Sequence, residues 1–412
     1  MDHQINLQKL FAERIGGENY GKVSKVFKFT LIDNAKKAFL RDYPGVKLID
    51  MGVGEPEERA PENVIAALSS AAAVKANRIY PNNGTAPFKE AAARYMKRLV
   101  GVECDPAKEI VHCVGTKTAL AQIPLAFLNP GDSIVATKPG YPVLPTIASW
   151  LGAKVTALPL TRANGFLPDL CELENTVKTE RPKLLLLNYP NNPTGGVATE
   201  SFIRSVIELA HRYNFVVVQD AAYADFVFDG RFRSFLEFPG GRECALELYS
   251  LSKSYNMQGY RLGFVVSNPT LLSAFALVKD NVDNGQFIAI QHAGVEALDN
   301  GAAFVAANKG KYLRRLTSVA ESLTAAGLEA TPTAGSFYLY VAVPQSLHGQ
   351  NFASAQAFTD YLIEKLGIVT VPWEEAGPHV RLSMTFEVGN EHFKDEAEVL
   401  HTFHSRITTG KL

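Results

Sequence analysis

Lys253 lies in the stretch YSLSKSYNMQGYRLGF (249–264), set among hydroxyls directly behind an apolar run, with Arg261 and Gly263 further on. A desolvated lysine amine can act as a nucleophile or a base. Taken alone, the stretch reads first as the solvated charge that follows a core strand. Several other apolar runs end in polar residues in the same way. EIVHCV leads to Gly115, Thr116 and Lys117, where helix-start N–H groups can hold a phosphate or can simply be capped. DSIVATKPG leads to Tyr141, a flat face for a ring or a core side chain. KLLLLNYPN leads into Asn192-Pro193-Thr194-Gly195, a turn whose asparagine amide needs a polar partner. FVVVQ leads to Asp220, with Tyr223 in the same segment; a buried carboxylate there meets a cation or caps a helix. ALELY leads to Ser250, Ser252 and Lys253.

The elements that must position these residues are legible as a rhythm. Short continuous Val/Ile/Leu runs alternate with helical patterns, as in KLLLL, then TESFIRSVIELAHRYN, then FVVVQ. Unbroken apolar runs are what strands become when both faces are covered, so the pattern predicts an α/β fold with a mostly parallel sheet between helices. The block spans residues 51–290, and the chain after it, 291–412, reads as a smaller α+β domain: GKYLRRLTSVAESLTAAG and FASAQAFTDYLIEKLG as helices around the strand SFYLYVAV. Residues 1–50 are expected to pack on that smaller domain. At 412 residues more than one lobe is expected.

Composition excludes more than it assigns. The 41 basic and 42 acidic side chains nearly cancel, which argues against nucleic acid or an anionic membrane as partner. No apolar run approaches a membrane span and the polar start MDHQINLQKL lacks a signal-peptide pattern, so a cytoplasmic location is expected. The four cysteines form no CxxC pair and the nine histidines no ligand spacing, beyond His401 and His404 sharing a helix face, so no metal site is expected. A lone GxG in GVGEP, followed by proline, is a poor dinucleotide fingerprint.

In open parallel sheets ligands bind beyond the carboxyl ends of the strands, and one ligand would use every residue found there. Pyridoxal phosphate needs an anion cradle, an aromatic face, a carboxylate for its ring nitrogen, donors for its phenolic oxygen and an amine for its aldehyde.

The motifs then carry a family resemblance. NNPTG (191–195), DAAY (220–223), SLSKSYNMQGYRLG (250–263), GPHVRLSMTF (377–386), MGVGEP (51–56) and YPNNGTAPFKEA (80–91) resemble, in order, those of class I/II aminotransferases of pyridoxal-phosphate fold type I. The resemblance implies Lys253 as the amine that bonds the cofactor and then moves the substrate α-proton. It implies Asp220 at the ring nitrogen, Asn192 and Tyr223 at the phenolic oxygen, and Tyr141 against the ring. Thr116, Lys117, Ser250, Ser252 and Arg261 would hold the phosphate, with Tyr80 of a second copy. Arg381 would clamp the substrate α-carboxylate beside Gly54, and Gly259 and Gly263 would allow close backbone passage. A homodimer with shared sites is implied.

Within the family, LNYPNNPTGGVAT, VVVQDAAYADFVFDG and KDNVDNGQFIAIQ resemble the LL-diaminopimelate aminotransferase group most closely, with Asn284 reaching the neighbouring site. The expected reaction is ping-pong transfer between LL-diaminopimelate and 2-oxoglutarate, with Glu55 or the 20–32 segment near the distal end of the substrate. KVFKFTLI there offers phenylalanines where the group's contact aromatic is a tyrosine. The same machinery would also serve an aspartate or other amino-acid aminotransferase, or a C–S lyase. A non-catalytic binding domain would need an attached DNA-binding module, and none precedes residue 50.

Overall fold

The computed structural model describes residues 5–22 and 28–412, with the backbone alone at 28–30. The main layer is a seven-stranded sheet. Its strands, in chain order, are β1 (Ile110–Cys113), β2 (Ser133–Lys138), β3 (Lys154–Pro159), β4 (Leu184–Asn188), β5 (Val216–Asp220), β6 (Ala245–Ser250) and β7 (Gly263–Ser267). They lie in the order β1-β7-β6-β5-β4-β2-β3. All neighbours run parallel except β7, which is antiparallel to both β6 and β1.

The unbroken apolar runs become strands with two covered faces. On β4, Leu185 and Leu187 join one core cluster while Leu184 and Leu186 join the cluster on the opposite face. Each such leucine contributes roughly 1.5–3 kcal/mol on burial, and a one-residue slip would exchange the faces. Register then fixes the chemistry: Asn188 pairs with Asp220, Asp220 with Leu248, and Ser250 with Gly263. Three polar strand ends therefore stand side by side at one edge.

The helices that follow are locally specified. Glu200–Tyr213 starts at Thr199, whose hydroxyl accepts from the Phe202 N–H, and stops at Asn214 in the left-handed region; Phe202, Ile203, Val206, Ile207 and Ala210 form its buried stripe.

A second unit is built on β8 (Tyr338–Ala342), β9 (Val371–Trp373) and β10 (His379–Ser383), an antiparallel sheet in the order β9-β10-β8. Helices Ala302–Ala325, Ala355–Leu366 and Glu396–Thr409 complete it. The two expected helices and the strand between them are all present. Ile32 and Phe39, from the helix Lys28–Asp42, pack with Ile363, Val369 and Val371 of this unit. Packing associates the helix Ile288–Asn300 with the large sheet, since Ala293, Ala297 and Leu298 belong to the same cluster as Leu185. Among the described residues no helix is long and apolar enough to cross a membrane.

Candidate active site

A cavity of about 770 Å³ opens at the carboxyl edge of the large sheet, between it and the second unit. It is lined by Lys253, Asp220, Tyr223, Asn192, Tyr141, Thr116, Lys117, Ser250, Ser252, Arg261, Arg381, Gly54 and Glu55, all anticipated from strand ends and motifs.

Lys253 sits on the short helix Leu251–Ser254, started by the Ser250 hydroxyl accepting from the Ser252 N–H. Its Nζ donates to the Gly54 carbonyl at 2.7 Å. Burial pushes the amine down to about 8, with the charges of Arg381 and Arg261 in the same direction and Glu55 opposing.

Asp220 ends β5 and is 5% exposed. Its carboxylate accepts only a long bond from the Ala222 N–H, 3.3 Å, and forms no ion pair among the described residues. Burial raises it to about 7. An acid and an amine thus face one cavity without neutralising each other, an arrangement that costs stability unless a ligand uses both.

Two guanidinium groups stand apart in the same cavity. Arg261, in the left-handed region at φ 56°, donates to the Gln258 carbonyl at 2.9 Å. A Cβ on Gly115 would overlap its Nη2, so the helix start at Thr116 and the guanidinium meet only because residue 115 is glycine. With Ser250 and Ser252 they form a seat for an anion. Arg381, 7% exposed on β10, donates through Nη1 to Asn192 Oδ1 (3.1 Å) and through Nη2 to the Gly52 carbonyl (2.7 Å). Its Nε is buried without a partner, while the guanidinium borders the cavity as a second cation apart from Arg261. Since arginine only donates, the Asn192 amide keeps its Nδ2 free for the cavity. The Tyr189–Pro190 and Asn192–Pro193 peptides of this turn are cis.

Tyr338 and Asn188 were not anticipated. The Tyr338 hydroxyl lies 3.0 Å from that of Tyr223 and 3.5 Å from the Gly54 carbonyl, and its ring lies 4.4 Å beneath the Arg381 guanidinium. Burial pushes the Tyr223 hydroxyl well up, so it is held as a neutral donor. Asn188 bonds the Asp220 carbonyl (2.8 Å) and accepts from the Asn192 N–H (2.9 Å). Its signal was available, an amide ending the run LLLLN; that of Tyr338, inside the apolar SFYLYVAV, was not.

Gly263 is a close passage, since a Cβ there would press on the Tyr249 carbonyl at 2.6 Å, whereas Gly259 faces open space. Tyr80 and Asn284 do not line this protomer's cavity. Of the 20–32 segment, residues 23–27, including Phe27, and the side chain of Phe29 lie outside what is described. His404 contacts Ser322 Oγ at 3.2 Å, and all four cysteines are free thiols.

The same architecture is found in solved structures. One is a Thermus thermophilus aspartate aminotransferase mutant, with TM-score 0.85 and 26% identity over 97% of this chain and 99% of that one. Another is a probable N-succinyldiaminopimelate aminotransferase of Thermus thermophilus, with TM-score 0.83 and 30% identity over 93% and 100%. The sheet and its one reversed strand are those of a fold type I transferase. The chain belongs to the family described as aminotransferase class I and II, whose model matches residues 46–393. It is 44% identical to the LL-diaminopimelate aminotransferase of Methanocaldococcus jannaschii over 97% of each chain. It is 42% identical to that of Methanococcus maripaludis, over 98% of this chain and 97% of that one.

Proposed function

We propose that this aminotransferase works with pyridoxal phosphate and moves an amino group from LL-diaminopimelate to 2-oxoglutarate, a step of lysine formation. The observation that carries the cofactor reading is the unpaired buried acid Asp220 facing the same cavity as the depressed amine of Lys253. A cationic ring nitrogen would relieve the first, and an aldehyde carbon would engage the second. The Arg381 guanidinium at the cavity wall and the Gly115–Arg261 cradle fit the two anions, a substrate carboxylate and a phosphate.

When bound, that cofactor carries the amino group between substrates and accepts the electron pair left at the substrate α-carbon. Thr116, Lys117, Ser250, Ser252 and Arg261 would hold its phosphate, and Tyr141 its ring face. Asp220 would hold the ring nitrogen protonated. Asn192 Nδ2 and the Tyr223 hydroxyl would serve as donors to its phenolic oxygen; Tyr338 can donate to Tyr223 and so leave the Tyr223 proton for that role. Arg381 grips the α-carboxylate in a planar fork, with the Gly54 backbone alongside. Lys253 Nζ takes the proton from the substrate α-carbon; an amine titrating near 8 is a ready base at neutral pH. Two copies of the chain share their sites, Tyr80 and Asn284 entering from the neighbour.

The substrate reading is supported by the names of the two relatives and by Glu55, exposed at the cavity, as a partner for a distal ammonium. Sites built to bond a polar group reject analogues lacking it by large factors. The purified protein is assayed with 2-oxoglutarate and a panel of donors. LL-diaminopimelate should give the highest kcat/KM, with alanine and leucine far below; a higher value for aspartate or an aromatic amino acid removes the substrate reading and leaves the family.

A further inference from the structure

Two loops project from the protomer without entering its own cavity. Tyr80 is 78% exposed, Asn284 is exposed, and neither lines the site. Beneath their tips the loops are fastened by buried polar side chains. Lys279, wholly buried on the helix Pro269–Val282, donates to the Asn82 carbonyl at 3.1 Å and to Asp283 Oδ1 at 2.6 Å. The same Oδ1 accepts from the Gly285 N–H at 2.8 Å, while Oδ2 accepts from Gln122 at 3.0 Å. Gln291, equally buried, accepts from the Thr85 N–H at 2.8 Å and donates to the Gln286 carbonyl at 3.0 Å. The loops touch directly: a Cβ on Gly285 (φ 86°) would run into the Asn82 carbonyl, and Asn82 is itself left-handed at φ 46°.

A wholly buried ammonium is costly even when paired, and apolar packing could hold two loops at less cost. What Lys279 adds is directional: it fixes one carbonyl of the loop that carries Tyr80 and, through Asp283, the backbone on either side of Asn284. We propose that Lys279 is a positioning residue acting in trans. With Asp283 it clasps the two loops into the shape in which Tyr80 and Asn284 enter the site of a second copy of the chain. This rests on the shared-site homodimer proposed above and accounts for the polar residues of KDNVDNGQFIAIQ, of which that site uses Asn284 alone.

Heterodimers of differently tagged protomers test it. In a Lys253→Ala/Lys279→Met pair, the one lysine-bearing site belongs to the Lys279→Met protomer and receives its loops from the Lys253→Ala protomer, whose clasp is intact. The Lys279→Met homodimer should lose about a hundred-fold in kcat/KM, the scale of a 1 Å misplacement, and should retain less pyridoxal phosphate through gel filtration. The heterodimer should recover both at its one competent site. A Lys253→Ala/Tyr80→Ala pair is the control for shared sites. Recovery in the control without recovery in the Lys279→Met pair means that Lys279 acts within its own protomer, and the clasp in trans is overturned. No recovery in the control removes the shared-site reading and the inference with it. If Lys279→Met does not fold, Asp283→Asn, which keeps the side chain's size, takes its place in the same pairing with the same outcomes.

Discussion

Lys253 Nζ donates to the carbonyl oxygen of Gly54 at 2.7 Å, so the amine behind the sixth strand is held by a loop 199 positions away in sequence. The contact places Lys253 beside Arg381, whose Nη2 bonds the Gly52 carbonyl of that loop. The amine and the guanidinium, proposed as base and carboxylate clamp, are thereby anchored to one short backbone segment.

The protein freed of cofactor should capture pyridoxal phosphate covalently at a rate that rises with pH through about 8 and then levels. Only the neutral amine attacks, and burial sets its titration at about 8. Stopped-flow absorbance at several pH values reads the rate. In Lys253→Ala, borohydride should fix no cofactor to protein, while phosphate-dependent binding persists; cofactor still fixed in that variant would remove Lys253 from this role.

Asp220→Asn should stabilise the cofactor-free protein and damage the enzyme. The folded carboxyl titrates near 7 against about 4 when unfolded, so between those values the folded state binds more protons than the unfolded one. Stability therefore falls as pH rises through that window, by on the order of 4 kcal/mol, and the loss is complete above about 7. The variant should melt higher than the parent at pH 8 and equally at pH 4. Its turnover should drop about 10²–10³-fold at saturating cofactor, more than for any single phosphate contact. Near-parental turnover would contradict the role assigned to Asp220.

Arg381→Lys keeps the charge but not the fork that reaches Asn192 Oδ1, the Gly52 carbonyl and the cavity together. kcat/KM should fall by about a hundred-fold, the cost of losing a buried charged contact. Cofactor retention should stay unchanged, because the phosphate seat is proposed at Arg261. Loss of cofactor in step with activity would argue that Arg381 supports the cofactor instead.

Tyr338→Phe removes a hydroxyl that touches both Tyr223 and Gly54. Stability should change by about 1 kcal/mol and kcat by up to about tenfold, the range of a single hydrogen bond. The cofactor's absorbance should shift with pH if Tyr223 relays the loss to the phenolic oxygen. An unchanged spectral titration would leave Tyr338 with a packing role only.

Much of the site was legible because its signals are local. A residue that ends or closely follows an unbroken apolar run stands at the end of a buried strand, and parallel strands end at one edge; Lys253, Asp220, Thr116 and Asn192 were placed there by that pattern, and their roles came with the motif resemblance. Arg381 and Gly54 came from motif resemblance, since neither spacing nor periodicity joins the first loop to the tenth strand. Tertiary packing decided the rest. Tyr338 lies in an apolar strand like any core tyrosine, and only the approach of Gly54, 284 positions away, makes its hydroxyl part of the site. Gly259 reads in sequence like Gly263, yet one faces open space and the other the Tyr249 carbonyl. Lys279 looks like a solvated helix charge until the chain buries it between two loops. Local sequence determines where a strand ends and which group it presents. Whether that group is desolvated, paired or left waiting for a ligand depends on contacts between distant segments, which exist only once the chain has closed.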